Sequence, residues 1–176
     1  MAPGSREARS ADIRSVDFKN FAYRPSCTNK LVRVKEGKYE VHRPPERLLF
    51  RVVEVVYGDL TGDGRDEAVV TTYCDTGGSG GFTEGYVYTM RGRRAAMIVR
   101  LKGGDRALGG IHMVSVVNGT LVVARLAPET PEGPACCPKY IETSTYQLKG
   151  RQLVQEGTRE RGDYELLPSS PTGQLP

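Results

Sequence analysis

Hydrophobic and polar side chains alternate along much of this chain with the two-residue period of a β-strand. The clearest run is 94–101, which places apolar side chains on one predicted face and arginines on the other: Ala95, Met97, Val99 and Leu101 against Arg94 and Arg100. The runs 111–117 and 121–126 are apolar on both faces, which predicts a hairpin at the centre of a sandwich or barrel. No stretch has the period of an amphipathic helix, so we expect strands throughout.

Pairs that end in glycine separate these runs and predict two-residue hairpin turns, because glycine supplies the positive φ that such turns require. The pairs are Glu36-Gly37, Arg91-Gly92, Asn118-Gly119 and Lys149-Gly150. Asn118-Gly119-Thr120 also fits a glycosylation sequon, but Asn-Gly is a strong hairpin signal and a turn is the preferred interpretation. The pattern therefore predicts a single all-β domain, an antiparallel meander of hairpins that forms a sandwich or barrel.

Composition supports this fold class and sets the domain limits. The chain has 176 residues, 38% hydrophobic and 26% charged, which suits one domain. No apolar run is long enough to cross a bilayer, and a net charge of +4 is far from that of a dedicated nucleic-acid binder. Residues 1–10 are small and polar and residues 167–176 are proline-rich, so we expect disordered tails around a domain at 11–166.

The acidic segment 59–67 carries the strongest chemical signal. Oxygen-bearing residues recur at positions 1, 3, 5 and 9 with glycine at position 6, a spacing that wraps a hard cation such as Ca²⁺. The predicted ligands are Asp59, Thr61, Asp63, the carbonyl of Arg65, and Glu67. An EF-hand is excluded because position 12 is Val70 and both flanks are strand-like. The alternative is an Asp-Gly turn whose carboxylates cap backbone amides.

This loop resembles the calcium loop of FG-GAP and VCBS-type repeats, whose pattern D-x-[DN]-x-D-G-x-x-[DE] lies between two β-strands. The resemblance implies a calcium site at the five predicted ligands. It does not imply a propeller, because the chain has one copy of the loop and lacks the Phe-Gly and Gly-Ala-Pro segments. Thr61 replaces the usual Asp or Asn, so we expect weak affinity, about 0.1 to 1 mM. The order of the loop, T-T-Y-C, the glycine-rich segment and A-C-C-P also resembles uncharacterised bacterial exported proteins or lipoproteins.

The cysteines are Cys27, Cys74, Cys136 and Cys137. An even number at wide spacing favours two disulfides, and adjacent cysteines in extended backbone point apart. The preferred connectivity therefore links Cys27 and Cys74 each to one member of the Cys136-Cys137 pair. A vicinal Cys136-Cys137 bridge with Cys27-Cys74, and four free thiols, are the alternatives. Because disulfides persist in oxidising compartments, we expect an extracellular or periplasmic protein from which a signal sequence was removed.

Enzyme chemistry has weaker support. The segment Gly77 to Gly81 satisfies G-x-S-x-G and suggests a hydrolase, but a strand is predicted where a nucleophile elbow needs a helix. His42 and His112 have no identifiable orienting partner. Glu54 and Glu84 are candidates for a carboxylate pair, but single acids on strands usually face solvent.

A second alternative is a polyanion binder that uses the hairpin from Arg91 to Arg106. This segment carries six basic residues against Asp105, and Tyr86 and Tyr88 nearby are candidates for stacking on bases. A solvated basic hairpin with core tyrosines is the preferred interpretation. We therefore expect a non-enzymatic, exported, calcium-binding β-domain that acts as an interaction or structural module. Its expected partner is a protein or a glycan rather than a nucleic acid, with no catalytic residue and no cofactor besides Ca²⁺.

Overall fold

The computed structural model describes residues 11–78, 80–105, 109–127 and 138–163, and in these residues the predicted all-β fold is confirmed. Two short 3₁₀ turns, Ile13–Ser15 and Phe18–Asn20, precede the strands. The strands are β1 (Ala22–Tyr23), β2 (Val32–Arg33), β3 (Lys38–Arg43), β4 (Glu46–Gly58), β5 (Glu67–Asp75), β6 (Phe82–Arg91), β7 (Arg94–Asp105), β8 (Ile111–Val117), β9 (Thr120–Ala127), β10 (Tyr140–Lys149) and β11 (Gln152–Asp163). The predicted tails, 1–10 and 167–176, lie outside the described residues.

Two antiparallel sheets form an open sandwich. The five-stranded sheet has the order β3-β4-β5-β6-β7 and the four-stranded sheet has the order β11-β10-β9-β8, so both are meanders. Apolar side chains fill the space between them, and Val69, Val87, Leu121 and Val123 are wholly buried there. Burial of each such side chain stabilises the fold by about 1.5 to 3 kcal/mol. The described strands do not close into a barrel, so the sandwich is the correct alternative.

The N-terminal arm, residues 11–34, covers the opposite face of the five-stranded sheet. It pairs β1 with β2 and contributes Ile13, Phe18 and Tyr23 to a second apolar core. Aromatic rings connect the arm to the sheet, with centroids 5.2 Å apart for Phe18 and Tyr88 and 5.4 Å apart for Tyr23 and Phe50. The five-stranded sheet is thus the middle of three layers and is apolar on both faces.

Two of the predicted turns are confirmed at their predicted positions. Both residues of Glu36-Gly37 have positive φ, 53° and 81°, and so do both residues of Asn118-Gly119, 50° and 76°. These are the values that a type I′ turn requires. The Asn118-Gly119 turn joins β8 to β9, as the sequence predicted.

The other two turns lie one residue later than predicted. Arg91 pairs with Arg94 and Lys149 pairs with Gln152, so the loops are Gly92-Arg93 and Gly150-Arg151. Glycine occupies the first loop position with φ of 62° and 63°, as in type II′ turns. An X-Gly pair signals a turn but does not show which of the two loop positions the glycine takes.

The predicted single apolar face of β7 is wrong because a bulge interrupts the strand at Ile98. Tyr88 pairs with Met97 and Val87 with Val99, which leaves Ile98 without a partner residue. Ala95 consequently packs against the arm-side core, whereas Val99 packs between the sheets. An extra residue in one strand reverses the faces of all positions that follow it.

The predicted central position of the β8–β9 hairpin is half correct. β9 is internal, but β8 is an edge strand of its sheet. It lies instead against the end of β4, where a Cβ added to Gly58 would be 2.5 Å from the Val116 side chain. Glycine at this position therefore lets the two sheets approach closely along one side of the sandwich.

Candidate functional site

The cysteines give the first correction, because Cys27 is bonded to Cys74 rather than to the Cys136-Cys137 pair. Their Cα atoms are 6.5 Å apart, and Cys74 lies on the arm-side face of β5, where the arm passes over it. The arm's course over the sheet brings together two residues 47 positions apart in the chain. Cys136 and Cys137 lie outside the described residues, so the second half of the vicinal alternative stays a prediction.

The acidic loop connects β4 to β5 and is wrapped around the side chain of Asp59. Oδ1 of Asp59 accepts hydrogen bonds from the amides of Gly62 at 2.7 Å and Asp63 at 3.2 Å, and Oδ2 accepts one from Gly64 at 2.8 Å. These amide bonds, led by that of Gly64, lower the pKa of Asp59. Gly62 and Gly64 have φ of 75° and 81°, so the loop needs glycine at both positions.

Glu67 lies under the loop and is fully buried. Its Oε2 accepts hydrogen bonds from the amides of Leu60 at 3.0 Å and Thr61 at 3.1 Å, and its Oε1 accepts one from the Thr89 hydroxyl at 3.0 Å. Burial raises the pKa of this carboxyl above its ordinary value. A carboxylate of this kind is costly for the fold unless hydrogen bonds or a cation compensate its charge.

The exposed rim of the loop holds the other predicted ligands. The Thr61 hydroxyl is 3.5 Å from Oδ1 of Asp59, and Oδ1 of Asp63 accepts a hydrogen bond from the Arg65 amide at 2.9 Å. In the described part of the chain, no group of three His, Cys, Asp or Glu side chains is arranged to hold a metal ion. The carboxylates cap backbone amides, which is the geometry of the alternative interpretation.

The donor chemistry of the loop nevertheless fits a hard cation. The predicted ligand atoms are all oxygens, and none is the nitrogen or sulfur that zinc prefers. A carboxylate has about four lone-pair sites, whereas Asp63 uses one and Glu67 uses three in hydrogen bonds within the described residues. Asp59 already accepts four, from the Thr61 hydroxyl and the amides of Gly62, Asp63 and Gly64, so the exposed Asp63 is the loop carboxylate that retains most acceptor capacity.

A buried network at Glu84 was missed by the sequence, which predicted a solvent-facing carboxylate. Glu84 is 2% exposed, and its oxygens accept hydrogen bonds from the Ser26 amide at 2.9 Å, the Ser26 hydroxyl at 2.8 Å and the Tyr86 hydroxyl. Arg100 lies 3.4 Å from the same carboxylate and donates to the carbonyl of Arg24 at 2.6 Å. Together with the disulfide, this network fixes the arm to the sheet.

The proposed carboxylate pair is excluded by the fold. Glu84 contacts the arm, whereas Glu54 accepts a hydrogen bond from the amide of Val114 in the four-stranded sheet. The two side chains therefore lie on opposite faces of the middle sheet. Partial burial raises the pKa of Glu54.

The glycine-rich segment connects two antiparallel strands, β5 and β6, and the strand β6 follows it where a nucleophile elbow requires a helix. Ser79 lies outside the described residues. A Cβ added to Gly81 would be 2.0 Å from the ring of Tyr73, so glycine here permits close packing of that ring. His42 is exposed, and burial lowers the pKa of the half-buried His112.

Comparisons with protein-family models, with curated proteins and with solved structures return no match for this chain. No helical segment among the described residues is long and apolar enough to cross a membrane.

Proposed function

We propose that this protein is a non-enzymatic β-sandwich module whose loop 59–67 binds Ca²⁺ as a structural ion. The observation that carries the proposal is the shape of the loop, in which three backbone amides converge on the carboxylate of Asp59 above the buried Glu67. The loop is therefore held in a closed turn by its own hydrogen bonds. An ion that binds there meets a closed backbone, and it exchanges part of the amide hydrogen bonds on Asp59 and Glu67 for its own contacts with their oxygens.

Electrostatics supports a cation at this position. Asp59, Asp63 and Glu67 lie within nine residues of chain, and the charge of Asp63 contributes to the raised pKa of Glu67. A divalent cation compensates this repulsion and the burial cost of Glu67 together. When bound, Ca²⁺ supplies charge neutralisation at the β4–β5 junction.

The ligands proposed for the ion are Asp59, Thr61, Asp63, the Arg65 carbonyl and Glu67. Asp66 is not among them, since its carboxylate accepts a hydrogen bond from Nε of Arg14 at 2.6 Å. The carboxylates of the loop thus have two different partners: Asp59, Asp63 and Glu67 are proposed to face the ion, whereas Asp66 contacts the arm. The FG-GAP/VCBS resemblance predicts the same division.

An exported location is part of the proposal. The Cys27–Cys74 disulfide is compatible with an oxidising compartment, and the weak affinity expected for the calcium site is typical of extracellular modules. The interaction partner proposed for the module is a protein or glycan. The hydrolase alternative has less support, because the segment Gly77 to Gly81 joins two strands.

The test is the melting temperature of metal-free protein in calcium and in chelator. Calcium at about 100 times its dissociation constant adds roughly 2.7 kcal/mol to the free energy of unfolding, equivalent to about 5 to 10 °C. We expect a rise of this size that chelator reverses and that equal magnesium does not reproduce, since Mg²⁺ requires a stricter octahedral geometry. Equal melting temperatures with calcium and with chelator would leave only the amide-capping turn.

A further inference from the structure

Three turns and the acidic loop lie at one end of the sandwich. Within the five-stranded sheet, the Thr89 hydroxyl bonds Glu67 at 3.0 Å, which places the β6–β7 turn beside the acidic loop. A Cβ added to Gly119 would be 3.3 Å from the Asp59 carbonyl, so the β8–β9 turn lies there too. Because Leu121 pairs with Tyr146, the β10–β11 turn is at the same end of the four-stranded sheet.

Two of these turns are also on the same side of the sandwich. The strand β8 lies against β4, and β11 lies against β7. The β6–β7 and β10–β11 turns, which leave these neighbouring strands at the same end, therefore occupy the same corner of the sandwich. The acidic loop and the β8–β9 turn occupy the other side of this end.

These two turns carry only positive charge. Their basic residues form what we call the basic corner: Arg91, Arg93, Arg94, Lys149 and Arg151. All of them are exposed, neither turn contains an acidic residue, and none of the five forms an ion pair with another described residue. By contrast, Arg100 in the same hairpin is bonded to Glu84. The basic part of the hairpin is thus its turn, and the fold brings a second basic turn to the same corner, although no local sequence pattern connects the two.

The surroundings of the basic corner favour a flat anionic partner. Tyr86 and Tyr88 are 1% and 5% exposed, so the rings proposed for base stacking are unavailable, which disfavours single-stranded nucleic acid. Met90 and Leu148, beside the turns, are partly buried against the two cores, so the contact relies on charge rather than on inserted apolar side chains. The contact surface consists of two projecting turns, and a flat partner can touch both turns at the same time.

We propose that the basic corner binds the surface of bilayers that contain anionic lipid. Basic side chains near such a surface are attracted to its negative potential, and the attraction decays within a Debye length. Binding is therefore electrostatic, peripheral and reversed by salt. It does not depend on the proposed calcium site, so the two proposals fail independently.

The test is cosedimentation with vesicles in chelator, which removes any calcium bridge. The probes are vesicles of phosphatidylcholine alone and vesicles that also contain phosphatidylglycerol. We expect binding to the anionic vesicles only and its loss at high salt. Arg93→Glu with Lys149→Glu, one substitution in each turn, should weaken binding by about tenfold or more.

The matched control is Arg43→Glu with Arg47→Glu, which makes the same change in net charge at the exposed β3–β4 turn, at the opposite end of the sheet. It should bind anionic vesicles like the wild type, with melting temperatures showing that both double variants are folded. Equal weakening by the two variants would reduce the effect to net charge and overturn the proposal. So would binding to neutral vesicles, or binding to heparin or duplex DNA without binding to anionic vesicles.

Discussion

Asp63 and Asp66 are three positions apart in the same loop, but their carboxylates have different partners. Asp63 bonds the Arg65 amide inside the loop at 2.9 Å, whereas Asp66 bonds Arg14 of the arm at 2.6 Å. Asp63→Ala should therefore abolish the calcium-induced rise in melting temperature, because it removes a proposed ligand. Asp66→Ala should keep most of that rise. Differential scanning calorimetry in calcium and in chelator measures both responses.

Asp66→Ala, the matched control variant, should itself destabilise the protein slightly. The Arg14–Asp66 ion pair is largely exposed and is worth at most about 1 kcal/mol, so Asp66→Ala should lower both melting temperatures equally. A calcium response that persists in Asp63→Ala would remove Asp63 from the ligand set. A response lost in both variants would indicate that general charge, rather than ligation, governs it.

Glu54 gives a prediction of pH dependence. Partial burial raises its pKa above 4.5 in the folded state, so the charged form is disfavoured by folding. Its favourable contribution is present below the unfolded pKa and is lost as pH rises through the folded pKa. Glu54→Gln keeps an acceptor for the Val114 amide without the charge, and it should raise the melting temperature at pH 7. The gain should shrink as pH falls toward the unfolded value, and a gain that does not vary with pH would assign the effect to packing instead.

At this scale the sequence marked the acidic loop as a local unit, whereas it gave no sign of the buried network at Glu84. The positions from Asp59 to Glu67 lie in one local segment, and their spacing is readable without a fold. Glu84 depends on Ser26, which is 58 positions away, and no local pattern marks that contact. Glu84 is buried because the arm covers this face of the sheet, and a contact between residues so far apart in the chain is visible only in the tertiary structure.

At the scale of elements, the arm is held by covalent and polar contacts that lie close together. Cys27 bonds Cys74, and the adjacent Ser26 bonds Glu84. Replacing the disulfide by Cys27→Ser with Cys74→Ser should cost about 4 kcal/mol of unfolding free energy on the chain-entropy estimate for this span. Denaturant unfolding measures the loss. Non-reducing peptide mapping of the wild type should find Cys27 linked to Cys74, and a peptide that joins either to Cys136 or Cys137 would contradict the structure.

The strands themselves followed from the two-residue period and the glycine turns, but their registers did not. The bulge at Ile98 and the one-residue shifts at Gly92 and Gly150 depend on how a strand meets its partner. Sequence alternation describes a strand alone, whereas a bulge is a property of a pair. Hence the element order was predictable and the faces of β7 were not.

At the scale of the molecule, one sheet serves two cores. Val70 and Tyr86 belong to the arm-side core, and Val69 and Val87, their chain neighbours, belong to the core between the sheets. Loss of either core therefore removes support from the same strands, β5 and β6. The arrangement couples the arm to the four-stranded sheet through the middle sheet.

This coupling predicts which parts of the protein open together in native-state hydrogen exchange. In the oxidised protein, the amides of Val34 in the arm and Val70 in β5 should exchange hydrogen with similar opening free energies, because the disulfide and the Glu84 network tie arm and sheet into one unit. In Cys27→Ser with Cys74→Ser, the arm loses its covalent link, so the Val34 amide should exchange by local opening, well below the free energy of Val70. The Val34 amide bonds the Phe21 carbonyl at 2.9 Å within the arm, so its protection reports on the arm itself. Native-state hydrogen exchange across a denaturant series distinguishes the two cases. Parallel loss of protection at both amides in the variant would show that the apolar core alone holds the three layers as one cooperative unit.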